Sequence, residues 1–361
     1  MRWFHSFHAT QPETGERRTF FIEYMIMNPA LGGTKPILGQ LPAHRRNGVR
    51  PSYLLMKAGV FPDAADWPAG TVSALQLHRY YPVSDLKLAL NPLIIQFGEN
   101  FYSEQHIYGR VEVSHQDARH KSRMTDEGCI EWDLEIHKAI ACHTGRLADR
   151  FHNTVNALDS FWHAEGIQTY YRGHIVCNGT RYLVQTEDCY GYADKHWGKG
   201  FNSPWLQLAS SHLISERTGK ELKHSALAVE GCIPRFLCFP LRRKLILQLT
   251  LEGEDYQFNF TPFSRACKWK LSISRKRIVW QIVAGNRDAV VKIILSDLQK
   301  NMLPLLYENP DGIKTTALFG SGCGEGKIQF YRRTPEGKQL ADTLLIKDAL
   351  TIYERPSNTR Q

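Results

Sequence analysis

Strand-length runs of β-branched and aromatic residues recur along the whole chain, each stopped within a few residues by Gly, Pro, Asn or Asp. That rhythm limits the fold more than any other feature. Antiparallel strands can be joined by tight turns, whereas parallel strands need long and usually helical crossovers. Many short strands with turn signals between them predict an all-β fold of antiparallel barrels or sandwiches. The lack of strand–helix alternation argues against a doubly wound sheet.

Trp3 to Ala9 and Thr19 to Met27 read as strands around the turn Pro12-Glu13-Thr14-Gly15-Glu16. Residues 28–52 carry Pro29, Gly32, Gly33, Pro36, Gly39, Pro42, Gly48 and Pro51, which predicts a long loop, either a lid or disordered. Tyr53 to Val60, Val72 to Tyr81, 93–97, 101–108, Gly109 to Ser114 and Cys129 to Ile136 continue the strand pattern, with a loop over 117–128. Residues 144–160 fit one or two helical turns or a non-regular crossover. Asn178-Gly179 joins two runs, Thr169 to Cys177 and Thr180 to Gln185. It is the strongest short hairpin signal, because both residues accept positive φ.

After residue 215 the strands form a regular meander: Leu245 to Leu251, Tyr256 to Phe260, Trp269 to Ser274, Ile278 to Val283, Ala289 to Leu295, Thr315 to Phe319, Lys327 to Arg332 and Asp342 to Tyr353. A short helix is predicted over 297–306. The run Gly320-Ser321-Gly322-Cys323-Gly324-Glu325-Gly326 resembles a phosphate-binding loop only superficially. Such a loop opens a helix, and Lys327 to Tyr331 is strand-like, so a flexible turn or tight barrel corner is expected. The 361 residues exceed one ordinary domain and divide into 1–214 and 215–361.

Hydrophobic content of 42% and charged content of 22% suit a soluble globular chain with a sizeable core. No apolar run is long enough to cross a membrane, and no signal-peptide pattern opens the chain, so a cytoplasmic location is the default expectation. The eight cysteines contain no Cys-x-x-Cys pair and read as free, mostly buried thiols. No His-Glu-x-x-His or paired Cys/His spacing accompanies the 15 histidines, so no metal site is expected. The net charge of +9 is scattered in short clusters such as Arg242-Arg243-Lys244 and Arg275-Lys276-Arg277. Without a helix-turn-helix or RNA-binding signature this excludes a nucleic-acid partner. Peripheral contact with an anionic membrane surface fits the charge if the ligand is a lipid.

The segment 185–212, QTEDCYGYADKHWGKGFNSPWLQLASSH, packs tyrosines, tryptophans, a carboxylate and a histidine between glycines. A buried strand alone would use valine and isoleucine. This is the composition of a lined pocket, or of an aromatic corner between two sheets. Extended backbone puts Tyr192, Asp194 and His196 on one face and Lys195 and Trp197 on the other. If Asp194 faces an apolar cavity, desolvation keeps it protonated. It is then a proton donor to an alkene, and aromatic faces stabilise the resulting cation.

GYADKHWG, followed by Phe201, Ser203-Pro204-Trp205 and Gln207, resembles the signature of the tocopherol cyclase-like family. Trp3-Phe4 with Phe20 to Tyr24, Phe101 to Val113 and the glycine-rich stretch before Lys327 to Tyr331 resemble other segments of that family. Tyr192-Ala193-Asp194 is similar to the Tyr-x-Asp element of carotenoid 1,2-hydratases; Phe161-Trp162-His163 is the nearest match to their His-x-Trp element. The resemblance implies two lipocalin-like antiparallel β-barrels and an apolar, prenyl-bearing or isoprenoid ligand. It also implies acid-initiated cyclisation of the intramolecular lyase or isomerase type, with no cofactor. Asp194 would be the acid, Tyr192 and His196 would support it, and Trp162, Trp197, Trp205 and Gln207 would line the ligand. A non-catalytic lipid carrier uses the same pocket. The two separate on whether Asp194 faces the cavity or pairs with an arginine.

Overall fold

The computed structural model describes residues 1–63, 74–142, 160–198, 205–232, 235–236, 239–240, 244–260 and 267–354. The first sheet contains β1 (Arg2–Thr10), β2 (Arg17–Met27), β3 (Tyr53–Val60), β4 (Leu75–Tyr81), β5 (Lys87–Leu90), β6 (Leu93–Phe97), β7 (Asn100–Ser103), β8 (His106–Val113), β9 (Gly128–Ile140), β10 (Ser160–Cys177), β11 (Thr180–Val184) and β12 (Gly191–Gly198). Next come β13 (Leu206–Ser210), β14 (His212–Ser215), β15 (Ala226–Cys232), β16 (Arg235–Phe236), β17 (Phe239–Pro240), β18 (Lys244–Leu251) and β19 (Glu254–Phe260). The last are β20 (Cys267–Ile273), β21 (Arg277–Gly285), β22 (Ala289–Leu298), β23 (Leu303–Glu308), β24 (Thr315–Thr334) and β25 (Gly337–Glu354). Of these, β16 and β17 form a small ribbon and the others form the second sheet. The paired strands are antiparallel in both sheets, so the fold is all-β.

Each sheet rolls around its own apolar core. Trp3, Phe7, Tyr24, Trp132 and Tyr171 fill the first. Leu208, Leu247, Trp280, Ile293 and Ile346 fill the second. A third cluster joins them, with Phe4, Phe21, Phe61 and Trp162 from the first sheet and Trp205, Leu305, Tyr307 and Ile352 from the second. Strands β1 to β3 are therefore buried on both faces. Alternate residues point into the first barrel (Trp3, Phe7, Ile22, Met56) and toward the junction (Phe4, Phe21). The Asn178-Gly179 hairpin forms as expected, with φ of 47° and 83°. Among the described residues no helix is long and apolar enough to cross a membrane.

Several expectations change. Strands β13 and β14 pair with β15 and β25, so the chain changes sheets between Gly198 and Leu206, ahead of the expected division after 214. Residues 297–306 hold only a three-residue 3-10 turn, Gln299–Asn301. Leu303, Leu305 and Tyr307 alternate inward, and that period of two makes 303–308 a strand. Residues 28–52 are an ordered strap with a short helix, Pro42–Arg46. Asn28 and Gln40 donate side-chain hydrogen bonds to the carbonyls of Pro310 and Gly312 in the second half. The readings at 144–159, Val72, Phe201, Ser203 and Pro204 lie outside the described residues.

The glycine run 320–326 is not a loop: it lies within β24, where the pairing with β25 shifts register at Ser321/Gly324 and Gly324/Gly326. Its glycines let neighbours approach. A Cβ on Gly322 would lie 2.3 Å from Thr19 Cγ2, and one on Gly320 would lie 3.0 Å from Phe61. Both neighbours belong to the first half, so this stretch sets how closely the two sheets meet. Gly322→Ala should destabilise the protein by about 2 kcal/mol, in the range of overpacked sites. Thr19→Gly in the same chain should return part of that loss. Urea unfolding of the four variants of the cycle measures the coupling, and additive losses would contradict this reading.

Candidate functional site

The site is built on β12, which runs extended between β1 and β10. Its period of two puts Tyr192, Asp194 and His196 on the junction face, all buried. Lys195 lies on the other face, its ammonium 4.9 Å from the Trp3 ring and 5.7 Å from the Trp197 ring. Gly191 opens the strand where Thr169 O and the Tyr171 ring leave no room for a Cβ.

The antiparallel register sets a row across the first sheet. Lys57 is opposite Glu23, Glu23 opposite Phe4, and Phe4 opposite Asp194. Residues directly opposite share a face, so three ionisable groups and a phenylalanine ring point together toward the second sheet. Asp194 is 1% exposed. Its Oδ2 accepts from Trp162 Nε1 at 3.0 Å, from the Tyr192 hydroxyl at 3.0 Å, and from Gln207 Nε2. Gln207 Nε2 also donates to the Tyr192 oxygen at 2.8 Å. Gln207 belongs to β13, so both sheets complete the site. Oδ1 faces the Arg2 guanidinium, whose Nη2 lies 3.3 Å away. The Arg2 guanidinium also lies 5.2 Å from the Phe4 ring and 5.7 Å from the Trp205 ring.

Of the expected residues, Asp194, Tyr192, Trp162 and Gln207 come together through hydrogen bonds. Trp205 and His196 pack beside them, their rings edge-on at 6.4 Å. Trp197 lies across the strand from Asp194. Asp194 does not stand alone in an apolar hollow: it pairs with Arg2. Burial works against the Arg2 charge, but Asp194, Tyr307 and Glu23 outweigh it and hold the guanidinium protonated. Burial and the neighbouring Asp194 charge push the Tyr192 phenol well above its usual value, so it stays a neutral donor.

Four residues of this network were not anticipated: Arg2, Glu23, Lys57 and Tyr307. Tyr307 donates its hydroxyl to Glu23 Oε2 at 2.9 Å. Lys57 Nζ lies 3.4 Å from Leu306 O and 4.0 Å from the centre of the Tyr307 ring. Burial lowers Lys57 to about 8, against the opposing pull of Glu23. A signal was present: Glu23 sits within Phe20 to Met27 and Lys57 within Tyr53 to Val60, and each is a charge inside an otherwise apolar run. A run that apolar is buried on both faces, so its one charge must be buried too.

No family model matches the sequence, and no curated protein matches it. Among solved structures, kievitone hydratase from Nectria haematococca is similar over 98% of this chain and 88% of its own, with TM-score 0.51 and 10% identity. An AttH protein from Nitrosomonas europaea aligns over 96% of this chain and 92% of its own, with TM-score 0.44 and 10% identity. The first likeness shows the fold: two lipocalin-like barrels, as in that hydratase.

Two outcomes follow from the buried charges. Arg2→Met leaves Asp194 without its cation and should cost about 3–5 kcal/mol of stability, part of which Asp194→Asn returns in the double variant. Urea unfolding measures both; a loss within about 0.5 kcal/mol would show the pair to be idle. For Lys57, the folded value near 8 lies below the ordinary 10.5. Between them the unfolded chain binds a proton that the folded chain does not, so this residue's contribution to stability rises with pH. The stability of Lys57→Met relative to the wild type should therefore fall from pH 8 to pH 10, by at most about 1.4 kcal/mol per unit. A pH-independent difference would mean that Lys57 titrates normally.

Proposed function

We propose that the chain takes up an apolar, unsaturated small molecule at the junction of its two barrels, and that Asp194 starts an acid-initiated addition to it. One observation carries this reading. A single carboxylate oxygen collects donors from Trp162, Tyr192 and Gln207, drawn from both sheets, beside a packed cluster of aromatic side chains. The donors orient the carboxyl group, and the faces of Phe4, Trp162 and Trp205 suit a carbocation.

In this reading the Asp194 proton goes to one alkene carbon and leaves a tertiary cation on its neighbour. A hydroxyl oxygen then forms the new C–O bond and gives up its proton, which returns the Asp194 carboxylate to the acid. With water as the nucleophile the reaction is a hydration. With the molecule's own phenol it is the chromanol-type ring closure that the tocopherol cyclase resemblance implies. Arg2 must leave Oδ1 for Asp194 to hold a proton. Glu23 offers it a second anion within the same network, and both Glu23 and Tyr307 act on its charge.

The Arg2–Asp194 pair also favours a second reading, a non-catalytic carrier in which Asp194 stays ionised and only anchors the junction. Organic extraction and mass spectrometry of the purified protein should yield a prenylated or isoprenoid compound, which then serves as substrate. Asp194→Asn should reduce its turnover by about 100-fold or more, the usual scale for a lost general acid, while leaving its binding in place. Full turnover by Asp194→Asn, or binding without turnover by the wild type, leaves the carrier.

A further inference from the structure

A cleft of about 390 Å³ opens on the surface between Gln168–Tyr170 of β10 and Glu221–Lys223. That is the size of a small-molecule site. Behind it is a cavity of about 10 Å³, lined by His8, Ser210, Asp348 and Tyr192 among others. The two share three wall residues, Tyr190, Gly191 and Ser211. Tyr192 in turn belongs to both the inner cavity and the Asp194 node. The surface cleft, the inner cavity and the node thus follow one another along β12, from Tyr190 just ahead of the strand to Asp194 within it.

The Tyr190 ring stands where this line narrows. It lies flat on His212, with ring centres 4.1 Å apart and planes within 1°. The Arg17 guanidinium is 5.2 Å from its ring centre, and its hydroxyl donates to Glu221 Oε1 at 3.3 Å. His212 and Arg17 are themselves fixed by one carboxylate, Asp348, at 2.6 and 3.2 Å. Burial pushes Asp348 up, but the His212 hydrogen bond and the Arg17 charge outweigh it and hold it well below the usual range, as an anion. Tyr190 and Asp348 both have left-handed backbone, φ 39° and 48°, an uncommon state for a tyrosine. A ring held by polar contacts on a strained backbone has a second state within reach, because leaving the clamp relieves the strain.

Resting on the reading of the junction as a ligand site, we propose that the cleft is its mouth and that Tyr190 is the gate. The ligand is an amphiphile. Its apolar end passes Tyr190 toward the aromatic cluster of the junction, and its hydrogen-bonding end remains in the cleft among Glu221, Lys223 and Thr186.

Stopped-flow uptake of 1-anilinonaphthalene-8-sulfonate by the full chain tests this. If the closed state dominates, the association rate scales with the open fraction, so Tyr190→Ala should raise it by about tenfold or more. His212→Ala removes the stack but keeps the ring, and it should raise the rate in the same direction; it carries the test if Tyr190→Ala fails to fold. Equal or slower uptake in these variants, with the wild type binding the probe, overturns the gate and leaves the junction site standing. No uptake by the wild type or by either variant overturns the junction site, and the gate with it.

Discussion

Two apolar cores can share a wall that carries charges only if those charges are compensated away from water. Here the wall is β1, β2, β3 and β12, and it carries Arg2, Glu23, Lys57 and Asp194, each at most 1% exposed. Two cations face two anions, and Tyr307, Tyr192, Gln207 and Trp162 supply hydrogen bonds to the anions. Removing one member leaves a charge with no water to receive it, which costs far more than a surface pair is worth. The strand register therefore has one solution. A slip by one residue would turn Lys57, Glu23 and Asp194 into the first barrel and Met56, Ile22 and Trp3 out of it.

The close approach of the sheets depends on residues that carry no charge at all. Gly320 and Gly322 bring β24 against Phe61 and Thr19, and the 28–52 strap holds the same two halves through Asn28 and Gln40. Separating the sheets by one methyl group would stretch the Gln207 contacts to Asp194 and Tyr192, because Gln207 reaches them from the opposite side. Glycine in a strand, normally a weakness, here keeps a hydrogen-bonded node dry.

Much of this was legible in the sequence for a simple reason: strands have a period of two, and the period survives burial. It ordered β1 to β3 and β18 to β22, and it put Tyr192, Asp194 and His196 on one face. The hairpin at Asn178-Gly179 was legible from turn chemistry alone. What escaped notice depends on partners distant in sequence. Arg2 and Asp194 are 192 residues apart, and nothing local to either announces the pair. The strand at 303–308 was hidden by a proline at its second position, which sits exposed at the start of β23. The glycine run reads locally as a turn or a tight barrel corner because its reason, the Thr19 and Phe61 side chains, lies some 260–300 residues upstream in the chain.

The geometry of the Arg2–Asp194 contact bears on what the node is for. An ion pair gains most from the bidentate form, two parallel N–H donors on two carboxylate oxygens, and this one joins the neighbouring strands β1 and β12 of the first sheet. The Asp194 contact has one guanidinium nitrogen on Oδ1 at 3.3 Å, while three donors of neutral type crowd Oδ2. Those donors would hold the carboxyl group in place whether or not Arg2 stays, and Glu23 gives Arg2 another anion to approach. The orientation of the carboxylate is therefore set mainly through Oδ2, with the Arg2 guanidinium on Oδ1. Gln207, one of those donors, ties the carboxylate to the second sheet.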